Sequence, residues 1–238
     1  MKGIILAGGA GTRLHPLTTV TNKHLLPVGR LPMIIHAINK LTESKIRDIM
    51  IVTGTEHMGD MITLLGSGRS YDCKITYKVQ DEPNGIAGAL SLCEDFINDK
   101  QCVVLLGDNI FDDSLDQYIQ DYLGSNHSCF LLLKRVPDPE RYGVAIIENG
   151  HLVGAVEKPK DKISDFCITG IYMYDASVFE KIKKLNPSAR GEYEITELNH
   201  RYIIDGDVSF GILNGWWTDA GTFESYHLAN RLLTRKNK

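Results

Sequence analysis

No stretch of this sequence approaches the roughly 20 apolar residues that a membrane-crossing helix needs. The longest apolar runs, such as Cys102–Leu106 and Cys129–Leu133, are the length of strands, so no membrane span is expected. Positive charge is not in excess either. Against 30 Asp and Glu stand 26 Lys and Arg, a formal net charge of −4. Long-range attraction to DNA, RNA or anionic lipid is therefore not expected, and a polyanionic ligand must find a local basic site. Cysteine is sparse: the five residues, at 73, 93, 102, 129 and 167, form no Cys-x-x-Cys pair and mostly sit in apolar stretches. All five read as core, where a thiol packs as a small hydrophobe. The eight histidines form no His-Glu-x-x-His or Cys/His grouping, which argues against zinc. No Gly-x-Ser-x-Gly elbow is present, which argues against a serine hydrolase. The apolar run near Met1 breaks at Gly8, too soon for a signal peptide, and a reduced, cytoplasmic setting is the expectation.

What is present is an ordinary globular composition, 43% hydrophobic and 24% charged over 238 residues. That length suits one large domain, able to bury about 70–75% of its unfolded surface without disulfides. In the first half, short β-rich runs at Lys2–Leu6, Asp48–Thr53, Lys74–Val79 and Cys102–Leu106 alternate with helical patterns near 32–44, 56–66 and 85–97. Alternation of this kind predicts βαβ units on a parallel sheet, with the continuously apolar strands covered on both faces. After about residue 128 the strands come closer together, at Phe130–Lys134, Val144–Ile147, Leu152–Val156 and Cys167–Tyr174, with a hairpin turn predicted at Glu148–His151. Helices are predicted again at Ser177–Leu185, Ile195–Asp205 and Thr222–Arg235. Asp112 and Asp113 read as a helix start. Residues 1–238 are expected to form a single domain whose two halves, 1–127 and 128–238, share one sheet and one core.

Directly after the first strand comes Leu6-Ala7-Gly8-Gly9-Ala10-Gly11-Thr12-Arg13-Leu14. A glycine-rich turn in this place lets backbone amides approach a phosphate chain. Leu14 stands where the dinucleotide fingerprint needs its third glycine, and no Gly-Lys-Ser/Thr follows, so neither a Rossmann dehydrogenase nor a P-loop NTPase is spelled. Arg13 offers an always-charged bidentate phosphate partner, and Lys23 lies ten residues on in Lys23-His24-Leu25-Leu26-Pro27-Val28. Taken alone, the turn could equally be a tight turn with solvated cations.

Gly-Gly-Ala-Gly-Thr-Arg-Leu, Lys-x-Leu-Leu-Pro-Val and Leu106-Gly107-Asp108-Asn109 occur in that order here. So do Val79-Gln80-Asp81, Gly85-Ile86-Ala87, Tyr142-Gly143-Val144, Glu157-Lys158-Pro159, Ser188-Ala189-Arg190-Gly191-Glu192 and Trp217-Thr218-Asp219-Ala220-Gly221-Thr222. Through these segments, from Lys2 to about Asn230, the sequence resembles the sugar-1-phosphate nucleotidylyltransferases, most closely their thymidylyl-transferring members. The resemblance implies an α/β fold with a Rossmann-like, mixed but mainly parallel sheet flanked by helices, the GT-A-like nucleotidyltransferase architecture. It makes 1–127 the nucleotide-binding half and 128–238 the sugar-binding half. It implies the reaction of dTTP with glucose 1-phosphate to give dTDP-glucose and pyrophosphate, serving deoxysugar synthesis. UTP is the alternative nucleotide, and a non-catalytic nucleotide-sugar sensor is a distant alternative.

The same resemblance implies roles residue by residue. Arg13, Lys23 and Lys158 become catalytic phosphate contacts. Leu6, Gly8, Gly9, Gly11, Thr12, Gln80, Gly85 and Asp108 join Arg13 and Lys23 around the nucleotide, with Gln80 reading the base. Asn109, Tyr142, Gly143, Glu157, Lys158, Thr169, Tyr172 and Arg190 are implied for the sugar phosphate, although Tyr172 could equally be core and Arg190 a structural ion pair. Asp108 and Asp219 are the implied ligands of Mg²⁺, a cation suited to hard carboxylates and phosphate oxygens. The chain departs from the family pattern at His24 and Gly88, where glutamines are usual, and His24 reads as a neutral, hydrogen-bonded side chain. It also lacks the C-terminal extension of longer relatives, so feedback regulation is expected to be absent or differently built. A homo-oligomer is implied by longer relatives, with no interface marked in the sequence. Trp216, Phe223 and Tyr226 are expected to pack the last helix.

Overall fold

The computed structural model describes residues 1–9 and 11–236. Ala10 of the glycine-rich turn lies outside the described residues. In chain order the strands are β1 (Lys2–Ala7), β2 (Pro27–Val28), β3 (Leu31–Pro32), β4 (Asp48–Gly54), β5 (Lys74–Gln80), β6 (Cys102–Leu106), β7 (Asn109–Phe111), β8 (Cys129–Arg135), β9 (Gly143–Glu148), β10 (His151–Glu157), β11 (Phe166–Tyr174), β12 (Val208–Ile212) and β13 (Trp217–Asp219). The helices are α1 (Met33–Glu43), α2 (Met58–Leu65), α3 (Ile86–Ser91), α4 (Glu94–Ile97), α5 (Asp116–Gly124), α6 (Val178–Ile182), α7 (Ile195–Ile204) and α8 (Phe223–Lys236). The chain divides into two compact units, each built from separated stretches.

One unit comprises Lys2–Pro83, Leu105–Leu115 and Gly215–Lys238. Its β1, β4 and β5 pair in parallel in that order, Gly3 opposite Ile49 and Asp48 opposite Lys74. Residues 3–7 of β1 and 49–53 of β4 are all buried, which is why both strands read as unbroken apolar runs. Helix α1 buries Met33, Ile34, Ile35, Ala37, Ile38 and Leu41, a stripe at helical spacing. The short antiparallel pair of β7 and β13 sets Asn109 opposite Asp219 and Trp217 opposite Phe111. Val28, Met33, Ile110, Ala220 and Ala229 form a core beneath it, against which Trp216, Tyr226 and Leu233 pack. Trp216 and Tyr226 therefore hold the last helix as the sequence implied, whereas Phe223 remains 37% exposed. Asn230 Oδ1 accepts from Gly29 N–H at 2.9 Å and Tyr226 donates to Pro27 O at 2.6 Å, so α8 is anchored at both polar and apolar contacts.

The other unit comprises Asn84–Val104 and Asp116–Asn214, with Met1. Here β9 and β10 form an antiparallel hairpin whose turn residues Asn149 (φ 51°) and Gly150 (φ 80°) both take the left-handed conformation of the predicted turn. β11 pairs antiparallel with both β8 and β9, and β12 runs parallel to β8. Helix α7 packs on β10 and buries Ile195, Leu198, Tyr202 and Ile203.

Several expectations are corrected. The pattern at 85–97 is two short helices, α3 and α4, separated at Leu92 and Cys93. The helix expected at Ser177–Leu185 is only Val178–Ile182. The helix near Asp112 and Asp113 begins later, at Asp116, and the Asp113 carboxylate accepts the Gly215 N–H at 2.6 Å. Cys93, Cys102, Cys129 and Cys167 are buried, but Cys73 is only half-buried. Among the described residues no helix is long and apolar enough to cross a membrane.

Candidate functional site

The glycine-rich turn leaves the carboxyl end of β1, and its shape is fixed by short-range bonds. Gly11, left-handed at φ 66°, has its carbonyl accepting from Leu14 N–H at 2.9 Å and Thr18 hydroxyl at 2.8 Å. Two of the turn's three glycines face Lys23: a Cβ on Gly9 would lie 3.6 Å from its Nζ, and one on Gly11 3.0 Å from its Cβ. Gly11 thus clears a path for the lysine stem, and Gly9 borders its end in ordinary van der Waals contact. Asn22, before Lys23, caps the short 3₁₀ turn by accepting the His24 N–H at 2.9 Å, and its amide donates to Ala7 O at 3.3 Å. That pair of bonds clips the Lys23 segment to the end of β1.

Asp108 sits in the turn between β6 and β7. Gly107 N–H donates to Leu6 O at 2.9 Å, and Asp108 O accepts from Ala220 N–H at 2.7 Å, so backbone bonds tie this turn both to β1 and to the residue after β13. Lys23 Nζ lies 2.5 Å from Asp108 Oδ2, with the two side chains only 12% and 14% exposed. Burial alone would raise the Asp108 carboxyl, but the Lys23 charge and hydrogen bonds from Lys23 and Asn109 hold it far below the usual carboxylate range.

One point gathers the set. A Cβ added to Gly221 would sit 3.3 Å from Arg13 Nη2 and 3.5 Å from both Asp108 Oδ2 and Asp219 Oδ2. Arg13, Lys23, Asp108 and Asp219 are therefore neighbours within one unit, although Arg13 and Asp219 stand at opposite ends of the sequence. The absent side chain of Gly221 leaves a cradle faced by two carboxylates and a guanidinium. Among the described residues no group of three or more His, Cys, Asp and Glu could hold a metal. Two carboxylates facing a cradle nevertheless fit Mg²⁺, which takes few protein ligands and completes its shell with water and phosphate oxygens. Gln80, at the end of β5, lies over Gly8, where an added Cβ would be 3.0 Å from its Oε1. Leu6 is buried, while Thr12 and Arg13 are exposed.

His24 is buried at 2% exposure, with Nδ1 2.7 Å from Asn22 Oδ1. Burial first, and the Lys23 charge second, push its pKa down to about 3, so it is neutral near pH 7, as its sequence context implied.

The residues implied for the sugar phosphate, Asn109 apart, belong to the other unit, as does Gly85. Glu157 ends β10 opposite Gly143 of β9. Its Oε2 accepts the Thr196 hydroxyl at 2.6 Å, and its Oε1 lies 3.1 Å from Lys158 Nζ. Lys158, at φ 41°, holds a left-handed conformation uncommon for a side-chain-bearing residue, and its N–H donates to Tyr142 O at 3.0 Å. Arg190 is ringed by carboxylates, 2.8 Å from Glu194, 3.6 Å from Glu192 and 3.7 Å from Glu157. Thr169 and Tyr172 are buried in β11. Thr169 donates to Leu132 O at 2.7 Å, and Tyr172 stacks on Tyr174 with ring centroids 6.1 Å apart. Glu157, Lys158, Tyr142, Gly143 and Arg190 are thus brought together, and Thr169 and Tyr172 are packed as strand core. A Cβ on Gly85 would lie 2.7 Å from Tyr193 O, so that glycine serves a close backbone contact.

Asn22, Thr196 and Gly221 escaped the sequence reading. Each acts by contact with a residue far off in the chain or by lacking a side chain, and no spacing signal marks either property.

A family model described as nucleotidyl transferase matches residues 2–236. The chain is 45% identical over 234 residues to the glucose-1-phosphate thymidylyltransferase of Neisseria meningitidis serogroup A, covering 96% of this chain and 81% of that protein. A crystal structure described as a glucose-1-phosphate thymidylyltransferase from Bacillus anthracis, in complex with a sucrose, is 54% identical at a TM-score of 0.94, covering 98% of this chain and 94% of that one. A UDP-glucose pyrophosphorylase complexed with UDP-glucose is 24% identical at a TM-score of 0.85, covering 99% and 98%, a likeness of fold alone.

Proposed function

Because this chain belongs to the nucleotidyl transferase family, we propose that it transfers the thymidylyl group of dTTP to glucose 1-phosphate, releasing pyrophosphate. In this reaction a phosphate oxygen of the sugar attacks the α-phosphorus, a new P–O bond forms, and the bond to the β-phosphate breaks with its electrons leaving on pyrophosphate. Negative charge builds around the reacting phosphorus and leaving group, so catalysis rests on positioning and cations rather than on a covalent intermediate. The observation that carries the reading is the convergence of Arg13, Asp108 and Asp219 around Gly221, with Lys23 on Asp108.

Arg13 holds the leaving phosphates with its planar fork. Lys23 reaches the phosphates around the reacting centre from its stem over Gly9 and Gly11. Asp108 and Asp219 would hold Mg²⁺, which when bound clamps phosphate oxygens and offsets their charge. Gln80, whose amide both donates and accepts, reads the base over Gly8. Lys158 receives the sugar phosphate, and Glu157 accepts hydrogen bonds from sugar hydroxyls while Thr196 holds its other oxygen.

Thymine and uracil differ by one methyl, worth only about 1–3 kcal/mol in an apolar pocket, so some use of UTP accompanies dTTP. The test measures pyrophosphate release with dTTP, UTP, CTP, ATP or GTP and glucose 1-phosphate, with Mg²⁺ or with chelator. Fastest turnover is expected with dTTP and none with chelator. Equal turnover with UTP would reassign the enzyme to uridylyl transfer, and no turnover by folded protein would favour a nucleotide-sugar sensor.

A further inference from the structure

Asn109 is 3% exposed and Trp217 is 8% exposed, and the two side chains meet across the β7–β13 pair. The Trp217 indole N–H donates to Asn109 Oδ1 at 2.7 Å, and Asn109 Nδ2 donates to Asp108 Oδ1 at 3.0 Å. The other carboxylate oxygen, Oδ2, is the one at Lys23 and facing the Gly221 cradle. An indole can only donate, so it accepts no bond from an amide NH₂ and admits one orientation of Asn109. In that orientation the carbonyl faces the ring and the NH₂ faces the carboxylate. Turned over, the amide would set a carbonyl oxygen against Asp108 and leave two N–H groups against the indole donor.

We propose that Trp217, acting through Asn109, is a positioning residue for the reaction, because its N–H fixes the amide that pins Asp108 Oδ1 and leaves Oδ2 presented to the cradle. The inference rests on the reading of Asp108 as a metal ligand. It also gives Asn109 a task other than sugar recognition. Outer partners of metal-binding carboxylates are worth about 10–100-fold in metal affinity or activity, which sets the size of the effect.

The test compares wild type, Trp217→Phe, Asn109→Leu and the double variant. Mn²⁺ binding is measured by water-proton relaxation, with and without dTTP, alongside kcat and the KM for glucose 1-phosphate. Trp217→Phe should weaken Mn²⁺ binding about tenfold and lower kcat, with KM for the sugar phosphate unchanged. Asn109→Leu should do the same, and the double variant should be no worse than Asn109→Leu, since the indole acts through the amide. Additive losses, or unchanged Mn²⁺ affinity in Trp217→Phe, would overturn the proposal. If Trp217→Phe does not fold, replacing Trp217 by its benzothienyl analogue keeps the ring shape without the N–H and must give the same loss. Asp108→Asn separates the two levels: wild-type Mn²⁺ affinity there removes the metal reading itself, whereas lost affinity there with none lost in Trp217→Phe removes only the relay.

Discussion

Lys23→Met isolates the ion pair on which the site is built. The methionine keeps the stem's length over Gly9 and Gly11 and removes the charge 2.5 Å from Asp108 Oδ2. Breaking a fully buried pair costs about 3–5 kcal/mol, because the remaining charge is stranded, while exposed pairs are worth about 0–1 kcal/mol. With side chains 12% and 14% exposed, this pair lies nearer the buried limit. Asp108 also keeps its bond from Asn109 in the variant. A loss of about 2–3 kcal/mol is expected on that reckoning. Adding Asp108→Asn to Lys23→Met removes the stranded charge and should recover about 1–2 kcal/mol, a coupling of the size found for contacting residues. Urea unfolding followed by fluorescence suits the measurement, because Trp216 and Trp217 both lie in the unit that holds the pair. The pH dependence has a definite sign. The folded Asp108 carboxyl lies below its unfolded value of about 3.9, so the pair's contribution is complete above that pH and is lost as pH falls toward the folded value. The gap between wild type and Lys23→Met should be constant from about pH 6 to 8 and close below about pH 4. A gap under about 0.5 kcal/mol at pH 7, or one that persists unchanged to pH 3, would refute the reasoning.

Asp219→Asn should abolish most turnover while moving the thermal midpoint little, and near-normal Mg²⁺-dependent rates would remove this residue from the metal site. Gly221→Ala adds a methyl with no neighbour closer than 3.3 Å, so it should fold normally yet lose about 10²-fold in kcat by misplacing the groups around the cradle. Full activity in that variant would show that the cradle is not used. Gly143→Ala places a Cβ 2.6 Å from Thr196 Oγ1 and should disturb Glu157, raising KM for glucose 1-phosphate more than KM for dTTP in steady-state kinetics. His24 has a folded pKa of about 3 against an unfolded value near 6.5, so the unfolded chain binds more protons between them and stability falls as pH drops through that window. His24→Gln should remove a slope of at most about 1.4 kcal/mol per pH unit, read from melting temperatures between pH 3.5 and 7 in metal-free buffer.

The strands with four or more consecutive buried apolar residues, such as β1, β4 and β6, were legible because burial on both faces writes itself into composition. The Asn149-Gly150 turn was equally plain, since its left-handed backbone restricts the residues that fit. The three-residue strands β7 and β13 were not legible: too short for any periodicity, they exist through pairing with each other across more than a hundred residues of chain. Helix α5 was expected to start at Asp112 and Asp113 and starts instead at Asp116, because the Asp113 carboxylate accepts the distant Gly215 N–H rather than serving the helix. At the site, residue type made Arg13 and Lys23 candidate phosphate partners, and the resemblance of the surrounding segments was what singled out Asp108 and Asp219 as ligands for a hard cation. Their meeting was decided in three dimensions. Backbone bonds from Gly107 to Leu6 and from Ala220 to Asp108 bring the turns together, and only then does the bare Gly221 become a cradle. Local order therefore follows from neighbours along the chain, whereas the electrostatics of the site follow from distances that the linear order of residues does not contain.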